Sequence, residues 1–202
     1  MVCNDIKRLK KTEDGEYSDF AILYRTNSQS RSFEEELRRQ SIPYRIYGGL
    51  SFYQRKEIKD IIAYFRLAMN TDDEEAFKRI VNYPARGIGD TTLGKITMAA
   101  QNNGVSCWDI LSQPTRFQLD VNKGTWTKLL NFRDLVNGFV AQLDKLDAYE
   151  LGMKIIKESG IQADLYGASD ADSLSRQENL QEFVGGLKEF VEIRREEGNE
   201  DE

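Results

Sequence analysis

The stretch of this chain that comes nearest to a reactive motif runs from Gly89 to Ile96 (GDTTLGKI). It fits the G-x-x-x-x-G-K spacing of a phosphate loop, in which glycines let backbone N–H groups surround phosphate and a lysine reaches it. The next position of such a loop needs a hydroxyl to hold the nucleotide's magnesium, and here it is Ile96. Ile80 to Arg86 also read as a helix end and a proline turn, not as the buried strand that precedes a phosphate loop. ATP binding at this site is therefore not expected. The chain has no histidine, which removes Ser-His-Asp and Cys-His nucleophile systems, HExxH zinc sites and any histidine base. Cys3 and Cys107 are too far apart for a CxxC clamp, and two cysteines suggest no disulfide framework. Acid pairs such as Asp72 and Asp73 lack a catalytic partner, and helix capping accounts for them. No catalytic residue, cofactor site or metal ligand is expected within these residues.

Anion binding is the chemistry that remains. Gly87, Ile88 and Gly89 lie between two helical patterns, where a glycine turn leaves backbone N–H groups open at a helix start. Arg86 and Lys95 add charge there, and Thr91 and Thr92 add hydroxyl donors, a set suited to a DNA phosphate. The same spacing fits an ordinary helix–helix turn with Ile88 plugging the core, and spacing alone favours that simpler account. A second donor-rich run, Tyr24 to Arg31 (YRTNSQSR), follows a short apolar segment at the position where open α/β sheets bind ligands. Arg25, Asn27 and Arg31 in this run suit a phosphodiester backbone better than capping alone explains. Around Arg55, the charges Lys56, Glu57, Lys59 and Asp60 fit a solvated helix face. Phe52, Tyr53 and Tyr64 are able to stack on bases, though core packing is the better account of at least Phe52.

The elements that must carry these residues follow from periodicity. Phe20 to Tyr24 is an apolar run suited to a buried strand, a helical pattern follows with Phe33 and Leu37 on one face, and Tyr44 to Tyr47 reads as a second strand before Gly48 and Gly49. Strand, helix, strand is a βαβ start, and two strands alone do not make a stable parallel sheet, so this segment reads as part of a larger one. From Lys56 the period becomes helical, with Ile58, Ile61, Ile62, Phe65 and Met69 in one stripe. Asp72 is the expected N-cap of the next helix and Asp90 of the one after, with further helices over 105–112, 125–145, 148–159 and 172–196. The fold class expected is an α/β start followed by a mostly α-helical remainder, helix-dominated overall.

Charge sets limits on partners. The 202 residues carry a net charge of -6, which taken alone argues against a nucleic-acid partner. Its distribution reverses the argument: residues 25–66 hold nine basic and five acidic residues, while 196–202 hold five acids and no base. No apolar run approaches the roughly 20 residues of a membrane span, so no membrane partner is expected. Free thiols without a signal peptide fit the cytoplasm.

Several segments, in order and in register, resemble the UvrD/PcrA/Rep group of superfamily 1 DNA helicases. They are Phe20 to Arg31 (FAILYRTNSQSR), Ile42 to Gly49 (IPYRIYGG), Phe52 with Arg55 and Glu57 to Asp60, Ala76–Phe77, Asn82 with Pro84, and Arg86 to Gly89 (RGIG). Weaker similarity continues to Arg176–Leu180 (RQENL). The resemblance implies a partial RecA-like, P-loop NTPase-type 2A segment over residues 1–62 and a helical 2B subdomain over 63–202. It implies that Arg25, Asn27 and Arg31 face single-stranded DNA and that Gly87 to Gly89 touch duplex. The expected DNA-binding set is Arg25, Asn27, Arg31, Arg55, Arg86, Gly87, Ile88, Gly89, Thr91, Thr92 and Lys95. The family's Walker A and B motifs and arginine finger are absent, so ATP and magnesium belong to the parent helicase and this segment alone is expected to be inactive. Expected partners are a single-strand/duplex DNA junction and the remaining helicase domains. The alternative is a regulatory module that gates a motor by protein contacts without touching DNA.

Overall fold

A computed structural model of the chain describes residues 2–47, 49–196 and 198, with the side chains of Asn27, Pro114 and Thr115 left out of the description. Gly48 and most of the acidic end at 196–202 lie outside the described residues. Among the described residues eleven α-helices follow one another: α1 (Val2–Thr12), α2 (Ser30–Arg39), α3 (Lys56–Met69), α4 (Glu74–Ile80), α5 (Asp90–Asn103), α6 (Cys107–Ser112), α7 (Pro114–Phe117), α8 (Lys123–Val140), α9 (Ala148–Glu158), α10 (Ile161–Tyr166) and α11 (Ala171–Glu196). Helix domination is as expected. The strand–helix–strand start is not: no strand occurs among the described residues.

The two apolar segments nevertheless keep a strand's period. Phe20, Ile22 and Tyr24 are half-buried while Ala21 and Leu23 are exposed, and Ile42, Tyr44 and Ile46 alternate in the same way with Pro43, Arg45 and Tyr47. Leu23 is 93% and Tyr47 86% exposed, so one face of each segment has nothing to pack on. A strand needs a neighbour for its N–H and C=O groups. No backbone hydrogen bond joins these two segments among the described residues. Ile22, Ile42 and Tyr44 of these segments join Cys3 of α1, Leu37 of α2 and Tyr17 in a small cluster.

The main core begins at Phe52 and gathers around α3, which packs against α4, α8, α9 and α11. α3 runs without interruption through residue 62. Its buried line is Ile58, Ile61, Tyr64, Leu67 and Ala68, whereas Met69, placed on the apolar stripe by its spacing, is exposed. α8 contributes Leu129, Phe132, Val136 and Phe139, spaced at three and four residues and so on one face. Phe132 meets Phe77 edge-on at 6.0 Å and Phe139 meets Tyr64 at 6.3 Å, geometries that add to the value of simple burial. Tyr64 and Phe52 are fully buried and so are unavailable for base stacking. The caps differ by one residue from the expected ones. Asp73, not Asp72, accepts the Ala76 N–H at the start of α4, and Gly89, not Asp90, is the N-cap of α5.

Two buried carboxylates, Glu34 and Asp60, tie elements together, one a loop to a helix and the other a helix to a helix. Glu34 of α2 accepts the Phe52 N–H at 2.8 Å and the Ser51 hydroxyl, holding the segment that enters α3. Asp60 of α3 pairs with Lys56 and with Arg79 of α4, each at 2.8 Å. Glu74 accepts the Cys107 N–H at 2.7 Å. Burial and this neighbouring carboxylate push the Cys107 thiol up to about 12, so little thiolate forms near neutral pH. Cys107 is expected to resist alkylation by iodoacetamide at pH 8 in the folded chain and to react when urea unfolds it. Rapid native labelling, followed by peptide mass spectrometry, would contradict its placement.

Candidate nucleic-acid interface

The turn between α4 and α5 is built around one side chain. Asn82 Oδ1 accepts the N–H groups of Arg86 at 2.8 Å and Ile88 at 3.0 Å, which curls the backbone so that Ile88 drops into the core at 2% exposure. Between them Gly87 has φ +71°, a left-handed conformation that side chains with a Cβ rarely adopt. Gly89 then enters α5 with φ -81° and ψ 174°, and no side chain caps the helix start. The first-turn N–H groups and the helix dipole together favour an anion at such an end. Thr91 is exposed and Thr92 half-buried in that first turn.

Charge at the turn is divided between support and surface. Arg86 points inward: Nη1 donates to the carbonyls of Ile80 (3.2 Å) and Pro84 (3.1 Å), and Nη2 to Tyr64 Oη (2.7 Å) and the Ser159 carbonyl (3.0 Å). Its guanidinium also lies 5.4 Å from the Phe132 ring centroid. It buttresses the turn from below. Lys95 donates to the carbonyl and carboxylate of Asp120, at 2.7 and 3.2 Å. The cation at the rim is Lys128 of α8, exposed, with Nζ 3.3 Å from the Gly87 carbonyl oxygen. The sequence contained no signal for Lys128, which lies 41 positions along the chain from the glycine it touches.

The same geometry answers whether Gly89–Ile96 fits a nucleotide. Gly94 and Lys95 lie within α5, so no loop of N–H groups surrounds a phosphate there, and Lys95 is turned to Asp120. Ile96 is fully buried, and no group of three or more acidic, cysteine or histidine side chains able to hold a metal occurs among the described residues. These residues do not fit magnesium-ATP.

The second candidate run enters α2 through a 3-10 turn at Asn27–Gln29. Gln29 Oε1 accepts the N–H groups of Arg25 (2.9 Å) and Thr26 (3.3 Å), and the Thr26 and Ser28 hydroxyls lie 3.0 Å apart. Tyr24 stacks on Phe33 at 6.3 Å, which anchors the turn to α2. Arg25 and Thr26 face solvent, and the Asn27 side chain lies outside the described set. Arg31 and Arg55 face inward, at 6% and 8% exposure. Arg31 bonds Glu35 and Glu182 at 2.7 Å and Glu189 at 3.2 Å, while Arg55 donates to Asn179 Oδ1 at 2.7 Å. Burial acts against both charges. In Arg31 the three glutamates outweigh it and raise the pKa above the ordinary value, whereas in Arg55 burial prevails over Glu57 and Glu34 and lowers it.

Much of the basic stretch at 25–66 is thus neutralised within the fold: Arg38 pairs with Glu34, Arg39 with Glu36, and Arg66 with Asp73 and Glu75. Arg25, Arg45 and Lys59 of this stretch are exposed. Two outward features gather donors: the turn and helix start at Gly87–Thr92 with Lys128, and the turn at Arg25–Ser28. Both are suited to phosphodiester backbone and neither to covalent chemistry.

The helical fold carries these two turns, and the chain belongs to the UvrD-like helicase C-terminal domain family, whose model matches residues 1–202. It is 38% identical over 190 residues to the ATP-dependent DNA helicase PcrA of Leuconostoc citreum, covering 94% of this chain and 25% of that protein. It is 38% identical over 177 residues to DNA helicase II of Haemophilus influenzae (88% of this chain, 24% of that protein). PcrA of Staphylococcus aureus strain Mu50 is 36% identical over 176 residues, 87% of this chain and 24% of that protein. The chain spans about a quarter of the length of these relatives. No helix among the described residues is long and apolar enough to cross a membrane.

Proposed function

We propose that this chain is the DNA-engaging piece of an ATP-dependent 3′–5′ DNA helicase, acting in repair or replication. On this reading residues 1–62 belong to its RecA-like 2A domain and 63–202 form most of its 2B subdomain. The observation that carries it is the uncapped start of α5, which presents first-turn N–H groups beside Gly87 and Gly89 with the Lys128 ammonium at the rim. Duplex phosphate seats there; Gly87, Gly89, Thr91 and Thr92 line the seat, Lys95 adds charge from α5 only on release from Asp120, and Arg86 and Ile88 hold the seat's shape from within. Arg25, with Asn27, meets the single strand at the turn before α2. Arg31 and Arg55 belong to the same assembly through the internal bonds described above. ATP and magnesium are bound by the remaining helicase domains, so the isolated chain hydrolyses no ATP.

Fluorescence anisotropy with a labelled duplex carrying a 3′ single-strand tail tests this. Binding is expected to be weak and to fall steeply with salt, as phosphate contacts release counterions. Lys128→Ala is expected to reduce the slope of log K against log salt by roughly 1, the loss of one phosphate contact. No binding even at low salt, together with tight binding to a motor protein, would instead support a module that gates the motor by protein contacts.

A further inference from the structure

We propose that Arg31 and Arg55 are positioning residues that tie the strand-facing turn at Arg25–Gln29 to α11, so that the helical unit sets where that turn stands. The proposal rests on the reading of that turn as the single-strand contact. Arg31 sits in the first turn of α2, directly after the 3-10 turn, and each of its three nitrogens is taken by a different carboxylate. Two of these, Glu182 and Glu189, are two helical turns apart on α11, more than 150 positions along the chain. A second tie lies beside it. Arg55 bridges from Asn179 Oδ1 of α11 to the hydroxyl of Ser30, the residue that opens α2, and Asn179 Nδ2 donates to Glu57 of α3 at 2.6 Å.

Space has been made for this arrangement. At Gly186, between the two glutamates, a Cβ would lie 2.7 Å from Arg31 Nη1 and 3.0 Å from Cζ. Glycine in the middle of a 26-residue helix is a poor helix former, and here its bare backbone lets the guanidinium lie against α11. The charge balance makes the tie depend on Arg31: one cation gathers three carboxylates, so attraction holds the helices while Arg31 is in place. Without it, Glu35, Glu182 and Glu189 face one another and repel.

Hydrogen–deuterium exchange on the full chain, paired with anisotropy on a labelled single strand, tests the proposal. Arg31→Met is expected to raise exchange at least tenfold in peptides covering 24–36 and 179–193 together, leaving α4 to α6 unchanged. Arg31→Lys restores part of the protection, and Glu182→Gln with Glu189→Gln in the Arg31→Met background restores more by removing the repulsion. Gly186→Ala keeps every charged partner yet displaces the guanidinium, and it is expected to loosen the same two peptides; it decides the matter if Arg31→Met fails to fold. In the otherwise native chain, Glu182→Gln with Glu189→Gln is expected to weaken single-strand binding several-fold because the turn loses its support. Unchanged exchange in Arg31→Met or Gly186→Ala overturns the proposal. So does tighter strand binding in the double glutamine variant, which would mean that a freed Arg31 touches DNA itself. If the native chain binds no single strand, the functional reading fails while the exchange experiment still decides the tie.

Discussion

Arg86→Ala is expected to lower the stability of this chain by about 3 kcal/mol, a large share of the 5–15 kcal/mol by which a domain is ordinarily stable. The guanidinium supplies hydrogen bonds to three carbonyls, those of Ile80, Pro84 and Ser159, and to Tyr64 Oη. Alanine leaves these acceptors short of a donor, at about 1–3 kcal/mol for each one that water cannot reach. It also removes the packing of the cation over Phe132. The acceptors lie on α3, α4, the turn after α4 and the end of α9, so one substitution unties four parts of the core. Arg86→Lys is expected to recover little, because an ammonium cannot present the planar fork that reaches four acceptors. Urea unfolding of both variants checks this: the midpoint should fall with the slope unchanged. A shift corresponding to less than about 0.5 kcal/mol would mean that Arg86 stands in solvent and is free for phosphate.

Gly89→Asp is expected to act in the opposite sense on stability and against DNA. The backbone at Gly89 is extended, with φ -81°, and a Cβ added there meets nothing within 4 Å. Aspartate is among the preferred N-caps and improves on glycine by a few tenths of a kcal/mol. The new carboxylate nevertheless occupies the place where phosphate would accept the first-turn N–H groups of α5, and it repels the strand. Junction binding is expected to fall by about tenfold or more, equivalent to about 1.4 kcal/mol, while the melting temperature stays level or rises. Gly89→Asn, which caps without the charge, should lie between the two in binding. Retention of full affinity by Gly89→Asp would remove this helix start from the duplex interface. Gly87→Val separates the effects less cleanly, since Gly87 needs a positive φ and its Cβ would lie 2.6 Å from Lys128 Nζ.

The family and the helices were legible in the sequence for a physical reason: both depend on relations within short stretches. A spacing of three and four residues places Ile58 and Ile61 on one face whatever packs against it, and both are fully buried. Asn82 forms the turn by accepting the N–H groups of Arg86 and Ile88, with Gly87 between them, so the order of these residues in the chain already describes its shape. The strand period at 20–24 and 42–47 was equally legible, but pairing is a property of two segments, and among the described residues these two have no ladder. Cap positions moved by one residue because Asp72 and Asp73 differ only in which one meets the Ala76 N–H. Arg38 and Arg39 pair within α2, but the direction of Arg31, Arg86 and Lys128 was decided by tertiary structure. Arg25 and Arg31 are alike in type and six positions apart, yet one faces water and the other is enclosed by carboxylates from α2 and α11. A guanidinium satisfies phosphate and carboxylate equally well, so residue type cannot choose between them. The choice was made by Glu182 and Glu189 for Arg31, by Ser159 and Tyr64 for Arg86, and by the approach of α8 for Lys128.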